Sequence, residues 1–371
     1  MNGIGLYIHI PFCKDRKCPY CDFYSIPYDD DTADRYTAAL LRAFRGQPFG
    51  LLPVNTVYFG GGTPSLMDER LIAMLDEIRS AFILDENAEI TLEANPGSVR
   101  IPLLRRLRES GFNRISFGVQ SGINPELVSL GRVHTFKHAE EAVLAAAEAG
   151  FGHISADLML GTPGQTTESL YRSVSLLTEL PLDHISAYLL KIEEGTLFQK
   201  HNMAASCPDE DSAAGLYLAC VEALEAAKFR QYEVSNFAKA GAESKHNLKY
   251  WRCEPYLGFG PSAHSYLDGN RFFLPRDLER FLAGEDVFDL FVDDGEGGGF
   301  EEYVMLRLRL TEGLNLEECA VRYGKQSVDF LLERAKDLER HGLLNKCGDV
   351  ISLMPRGFLL LGAVTTRLLL D

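Results

Sequence analysis

Positive charge is scarce in this 371-residue chain: 37 lysines and arginines face 53 aspartates and glutamates, leaving a formal net charge of −16. That balance opposes the attraction to phosphate that supplies most non-specific nucleic-acid affinity, so neither nucleic acid nor an anionic membrane is expected as a partner. Long apolar runs are missing too. None approaches the roughly 20 residues that span a bilayer, and no charged-then-apolar leader precedes Leu6. The expectation is a soluble, cytoplasmic protein without an integral membrane segment. Cysteine is also sparse, with eight in the chain, of which Cys207, Cys220, Cys253, Cys319 and Cys347 stand alone. A disulfide scaffold is thereby excluded, and the clustered remainder reads as metal ligation or redox chemistry.

What is present is an ordinary globular balance, 46% hydrophobic and 24% charged, enough for one large core and a smaller one. Up to about Leu190, short apolar runs alternate with amphipathic stretches, as repeated βα units around a parallel sheet require. The runs predict strands at Leu6–Ile10, Thr56–Phe59, Glu89–Glu93, Arg114–Gly118, Ile154–Met159 and His184–Tyr188. Helices are expected at Asp31–Phe44 and His138–Ala149, the latter closed by Gly150, and again at Asp209–Ala227. Six such units predict a partial (β/α)6 TIM-like barrel over residues 1–230. Residues 231–292, rich in Gly, Pro and aromatics from Gln231 to Tyr266, read as a functional loop region completing the core. The acidic, Gly-rich run Asp293–Gly299 reads as a domain boundary. Beyond it, 300–371 is expected to form a small helical, winged-helix-like domain. Its charges are nearly balanced, so a lid or docking role suits it better than DNA reading.

Cys13 follows a predicted strand, and Cys18-Pro19-Tyr20-Cys21 lies within the same loop, so three thiolates can converge on one inorganic centre. Zinc and redox CxxC chemistry use the same residues, but no fourth Cys or His stands at zinc-finger spacing. A four-iron cube held by three cysteines keeps one iron open, the vacancy that S-adenosylmethionine (SAM) chemistry needs. Gly60-Gly61-Gly62-Thr63-Pro64 directly follows another strand, where glycines permit a ligand to approach the main chain closely and where barrel ligands bind.

The motifs YIHIPFC, CPYCDF, GGGTPS, LEANPG, RISFGVQS, DLMLGTPGQT and HNLKYWRCEPYLGFGPSAHSY, in that order, resemble the radical SAM family of anaerobic coproporphyrinogen III oxidases and HemW-type heme chaperones. The resemblance covers nearly the full chain. It implies a [4Fe-4S] cluster on Cys13, Cys18 and Cys21, an electron donor to supply it, and SAM bound beside it. Tyr7 would contact SAM, and Gly61, Gly62 and Thr63 would bind its amino-acid end. Glu93, Gln120, Arg132 and Asp157 would line the SAM pocket. One departure is the gap Lys14-Asp15-Arg16-Lys17 between the first two cysteines, one residue longer than in the family; a polar loop can bulge outward at small cost.

Within the family, the oxidases carry a further cysteine where this chain has Phe23, and an extension before the YxHIPFC motif for which Tyr7 leaves no room. Both differences point to the heme-chaperone branch, which binds heme and passes it to an acceptor protein. His246-Asn247-Leu248-Lys249-Tyr250-Trp251 matches the HNxxYW motif that these relatives use for heme, which implies His246 as an axial ligand, with Tyr250 and Trp251 as flat apolar surface. Oxidative decarboxylation of coproporphyrinogen and radical SAM methyl transfer remain as alternatives.

Overall fold

The computed structural model describes residues 3–14, 17–284 and 286–370. Six parallel strands stand side by side in chain order: β1 (Ile4–Ile10), β2 (Pro53–Gly61), β3 (Ile83–Ala94), β4 (Arg114–Gln120), β5 (His153–Leu160) and β6 (His184–Leu189). Each contains the strand expected from the sequence. Helices α1 (Asp30–Gly46), α2 (Arg70–Ala81), α3 (Ile101–Ser110), α4 (Phe136–Glu148), α5 (Thr167–Thr178) and α6 (Glu210–Ala226) follow them in turn. Local chemistry sets their ends. Asp29, Thr135, Thr166 and Asp209 each accept a bond from a first-turn amide, and Thr135 and Thr166 do so within full capping boxes.

The strands alternate in character. Leu6, Ile8, Val57, Phe59, Leu92, Ile115, Phe117 and Ile185 belong to the continuous hydrophobic core, whereas Glu93, Ser116, Asp157 and Tyr188 line a cleft on the other face. Because side chains alternate with period two, this pattern holds the register of every strand: a slip by one residue would bury the acids among the helices. β4 and β5 nevertheless shift register between Phe117 and Gln120, where Gln120 adopts a left-handed backbone with φ of 74°.

The sheet stays open. Past β6 lie β7 (Asn236–Ala238) and the short strand Arg230–Gln231, both antiparallel. Past β1 lies β8 (Tyr256–Phe259), parallel to it, then the antiparallel β9 (His264–Leu267), β10 (Asn270–Phe273) and β11 (Val292–Glu296). The stretch expected to be an irregular loop is therefore a sheet extension, carrying α7 (Lys245–Trp251) and the short helix Leu278–Ala283. Edge backbone groups of β1 and β6 need partners, and this segment supplies them. Part of the acidic run expected to be a linker forms β11, exposed along its whole length. An outermost strand pairs on one side only and tolerates charge on the other.

The C-terminal module contains α8 (Phe300–Arg307), α9 (Leu316–Tyr323) and α10 (Lys325–Arg340), then the hairpin β12 (Leu344–Cys347) and β13 (Val350–Leu353), and ends in α11 (Leu361–Leu369). Leu314–Asn315 adds a third strand beside β13. Three helices followed by a hairpin is the winged-helix-like order expected from the sequence. Among the described residues, no helix is long and apolar enough to cross a membrane.

Candidate functional site

The C-terminal ends of the parallel strands surround a cleft of about 1150 Å3 whose walls include Cys13, Cys18, Cys21, Gly61, Gly62, Thr63, Glu93, Gln120, Arg132 and Asp157. The cysteine loop hangs from the end of β1 and is tied at its base, where Phe12–Cys13 pairs with Ile26–Pro27 and the Tyr28 amide donates to the Cys13 carbonyl at 2.7 Å. A turn then brings the Cys21 amide 3.0 Å from the Cys18 carbonyl. Asp15 and Arg16, in the longer gap between the first two cysteines, lie outside the described residues.

All three thiols are free and half-buried. Burial raises the Cys13 thiol above its ordinary pKa and that of Cys21 to about 11, and the neighbouring Cys18 adds to both increases. Protonated thiols of this kind ionise when a metal displaces the proton. Among the described residues, no three Cys, His, Asp or Glu side chains gather as ligands of a single metal ion. Three free, half-buried thiols facing one cleft are a donor set that fits a polynuclear iron–sulfur cluster, whose ligands sit on different irons.

The glycine run serves chain packing as well as access. The Gly62 amide donates to the Ile10 carbonyl at 2.8 Å and the Thr63 amide to the Phe12 carbonyl at 2.7 Å, which joins the end of β2 to the approach to Cys13. A Cβ on Gly62 would lie 2.5 Å from the Phe12 carbonyl oxygen, and one on Gly61, at φ of 118°, would meet the His9 ring at 2.7 Å. Only glycine fits at either position.

Two acids stand in the cleft wall. Glu93 accepts from the Tyr58 hydroxyl at 2.7 Å and from the Gly61 amide at 3.1 Å, yet burial pushes its pKa up to about 7, with Asp157 adding to the rise. Burial likewise raises Asp157 to about 6, against the Ser186 and Ser116 hydroxyls and the Arg132 charge. Two buried carboxyls raised toward neutrality in one cleft make it a candidate ligand site. The left-handed backbone of Gln120 is strain stored at the same place.

Arg132 reaches across from beyond β4. It donates to Cys18 Sγ at 3.1 Å, to the Gly118 carbonyl at 2.9 Å and to the Asn95 side chain. Sequence reasoning missed Asn95, although it lies in the quoted LEANPG motif two residues past Glu93. Tyr20, Met159 and Tyr188 also line the cleft and had no signal beyond their proximity to motifs.

Two residues expected at the site stand apart from the cleft lining. Tyr7 lies beneath it, its hydroxyl 3.1 Å from His9 Nδ1 and its ring stacked on Tyr58. His246 is 1% exposed. It is stacked on Tyr58, with Nδ1 2.8 Å from the Thr56 hydroxyl and Nε2 2.8 Å from the Tyr250 hydroxyl. Burial lowers its pKa to about 3, so the ring is neutral. The α7 amides of Lys245 and His246 both donate to Glu89, which fastens the start of the helix to the middle of β3.

Residues 7–177 match the radical SAM superfamily and residues 300–360 the HemN C-terminal domain. Among curated relatives, the heme chaperone HemW of Mycobacterium tuberculosis is 37% identical over 98% of this chain and 94% of its own length. The chain belongs to the HemW-type branch of the radical SAM superfamily. HemW of Bacillus subtilis is 36% identical over 95% of this chain and 96% of its own, and HemW of Escherichia coli 34% over 97% of each. The solved structure of the E. coli coproporphyrinogen III oxidase HemN, described as a radical SAM enzyme, superposes with a TM-score of 0.83 over 99% of this chain and 90% of its own, at 22% identity. That likeness confirms the open parallel-sheet fold with its C-terminal module.

Proposed function

We propose that this protein is a cytoplasmic heme chaperone that holds a [4Fe-4S] cluster on Cys13, Cys18 and Cys21, binds SAM in the adjoining cleft and delivers heme to an acceptor protein. The observation that carries the cluster and SAM is the shared cleft: three free thiols face it together with Glu93, Gln120, Arg132 and Asp157. The heme reading is supported by full-length relatives named heme chaperone. When bound, the cluster supplies one-electron chemistry to SAM, fed by an electron donor protein. The chain's own part is to position: Glu93 offers an acceptor to the ammonium group of SAM and the Gly61–Thr63 run lines its amino-acid end, while Gln120 and Asp157 line the opposite wall. Tyr7 acts from below by supporting Tyr58 and thereby Glu93.

His246 enters with a condition. Both ring nitrogens are engaged by hydroxyls in the core, so ligation of heme iron by this imidazole requires α7 to open away from β2. The test is anaerobic reconstitution followed by parallel assays. Iron and sulfide should be retained by the parent and lost from Cys13→Ala, Cys18→Ala and Cys21→Ala, and heme should bind without consumption of coproporphyrinogen. Unchanged iron in Cys18→Ala would sink the cluster assignment. Rapid decarboxylation of coproporphyrinogen would make the protein an oxidase, and transfer of the SAM methyl group a methyltransferase. Heme affinity should fall in His246→Ala; equal affinity in both proteins would remove His246 as a ligand.

A further inference from the structure

Asn95 hydrogen-bonds both the glycine turn and the arginine at the cysteine loop. Its amide nitrogen donates to the Thr63 hydroxyl at 2.8 Å, and its carbonyl oxygen accepts from Arg132. Arg132 in turn reaches Cys18 Sγ at 3.1 Å with its other terminal nitrogen. The surroundings leave this guanidinium little freedom. The Gly118 carbonyl takes a second bond from the nitrogen that meets Asn95, and a Cβ on Gly118 would lie 3.4 Å from both Arg132 and Asn95. Gly131, at φ of 69°, packs against the Pro19 ring so closely that a Cβ would come within 2.8 Å, so the corner carrying Arg132 is seated on the Cys18–Cys21 loop.

We infer that Asn95 is a positioning residue that holds the Arg132 guanidinium on the Cys18 sulfur, giving Cys18 a charge-assisted hydrogen bond. This inference rests on the cluster reading above. Hydrogen bonds and positive charge at a ligating sulfur stabilise the reduced, more negative cluster and so raise its reduction potential. Loss of the bond therefore acts on the potential, a quantity that a merely structural residue would leave unmoved.

The experiment is a redox titration of the reconstituted protein without SAM, followed by the electron paramagnetic resonance signal of the reduced cluster, in parent, Arg132→Met and Asn95→Ala. Both variants should shift to more negative potential, Asn95→Ala by no more than Arg132→Met. An unshifted Asn95→Ala beside a shifted Arg132→Met would show that Arg132 holds its place unaided. No shift in either would show that the guanidinium is not on the sulfur. Should Asn95→Ala lose iron, Asn95→Asp, whose carboxylate still accepts from Arg132, should regain it; loss in both would overturn the inference. A parent that takes up no iron or sulfide would defeat the cluster assignment instead, a separate outcome visible before any titration.

Discussion

Glu93 shows how one residue can be costly to the fold and useful to the site. Its folded pKa of about 7 exceeds the ordinary carboxyl value of 4.5, with burial as the main cause. The folded state therefore binds the proton more tightly than the unfolded chain, and stability is lost as pH rises from about 4.5 to about 7 and stays lower above it. Because the carboxylate also faces the open cleft, the effect is on the order of 1 kcal/mol. In the metal-free protein, Glu93→Gln should be more stable than the parent at pH 8 by that amount, and the gap should close near pH 5. Urea denaturation at both pH values is the check, and an equal gap at each would contradict it. The same substitution should weaken SAM binding, since a carboxylate able to ionise is what a SAM ammonium group needs.

At the scale of elements, the decisive contact is the crossing of the glycine turn over the strand that leads to Cys13. Two amide-to-carbonyl bonds join them, and a Cβ on Gly62 would lie only 2.5 Å from the Phe12 carbonyl oxygen, so no side chain can be added there without movement. Gly62→Ala should force β1 and β2 apart at their ends, cost roughly 1–3 kcal/mol as overpacking does, and lower the iron retained after reconstitution. Gly97→Ala, in the same cleft wall but with nothing within 4 Å of the added Cβ, should leave stability within about 0.5 kcal/mol. Thermal melts and iron assays on the pair separate the crossing from a general intolerance of the cleft to larger residues. The three-glycine run was legible in the sequence as a place of close approach. What it approaches was not, because a glycine pattern carries no record of whether a ligand or another stretch of chain fills the space.

Across the whole molecule, the C-terminal module holds the helix that carries His246. Glu312 accepts from Arg252 at 2.9 and 2.8 Å and from Arg307 at 2.9 Å, and Arg309 lies over the Trp251 ring at 4.3 Å. The Glu233–Leu310 bridge adds a backbone link between the same parts. A half-exposed network of this size contributes on the order of 1 kcal/mol. Glu312→Gln should therefore leave the protein folded but speed amide hydrogen exchange over Lys245–Trp251, while exchange in β2–β4 stays unchanged. Equal exchange in the helix would show that the module does not restrain α7.

The sequence by itself determined the six strands and their order, the cysteine loop, the glycine turn, the two acids and the family. These depend on local periodicity and on motifs that lie within a few residues. Only the tertiary structure decided what contacts between distant segments decide: that residues 231–292 extend the sheet, because the open edges of β1 and β6 need backbone partners, and that Asn95 joins Thr63 to Arg132. His246 is the sharpest case. Its motif reads as a ligand on the chain, yet its ring lies between Thr56, Tyr58 and Tyr250 in the core, because residues 190 positions apart meet there and both ring nitrogens find hydroxyl partners.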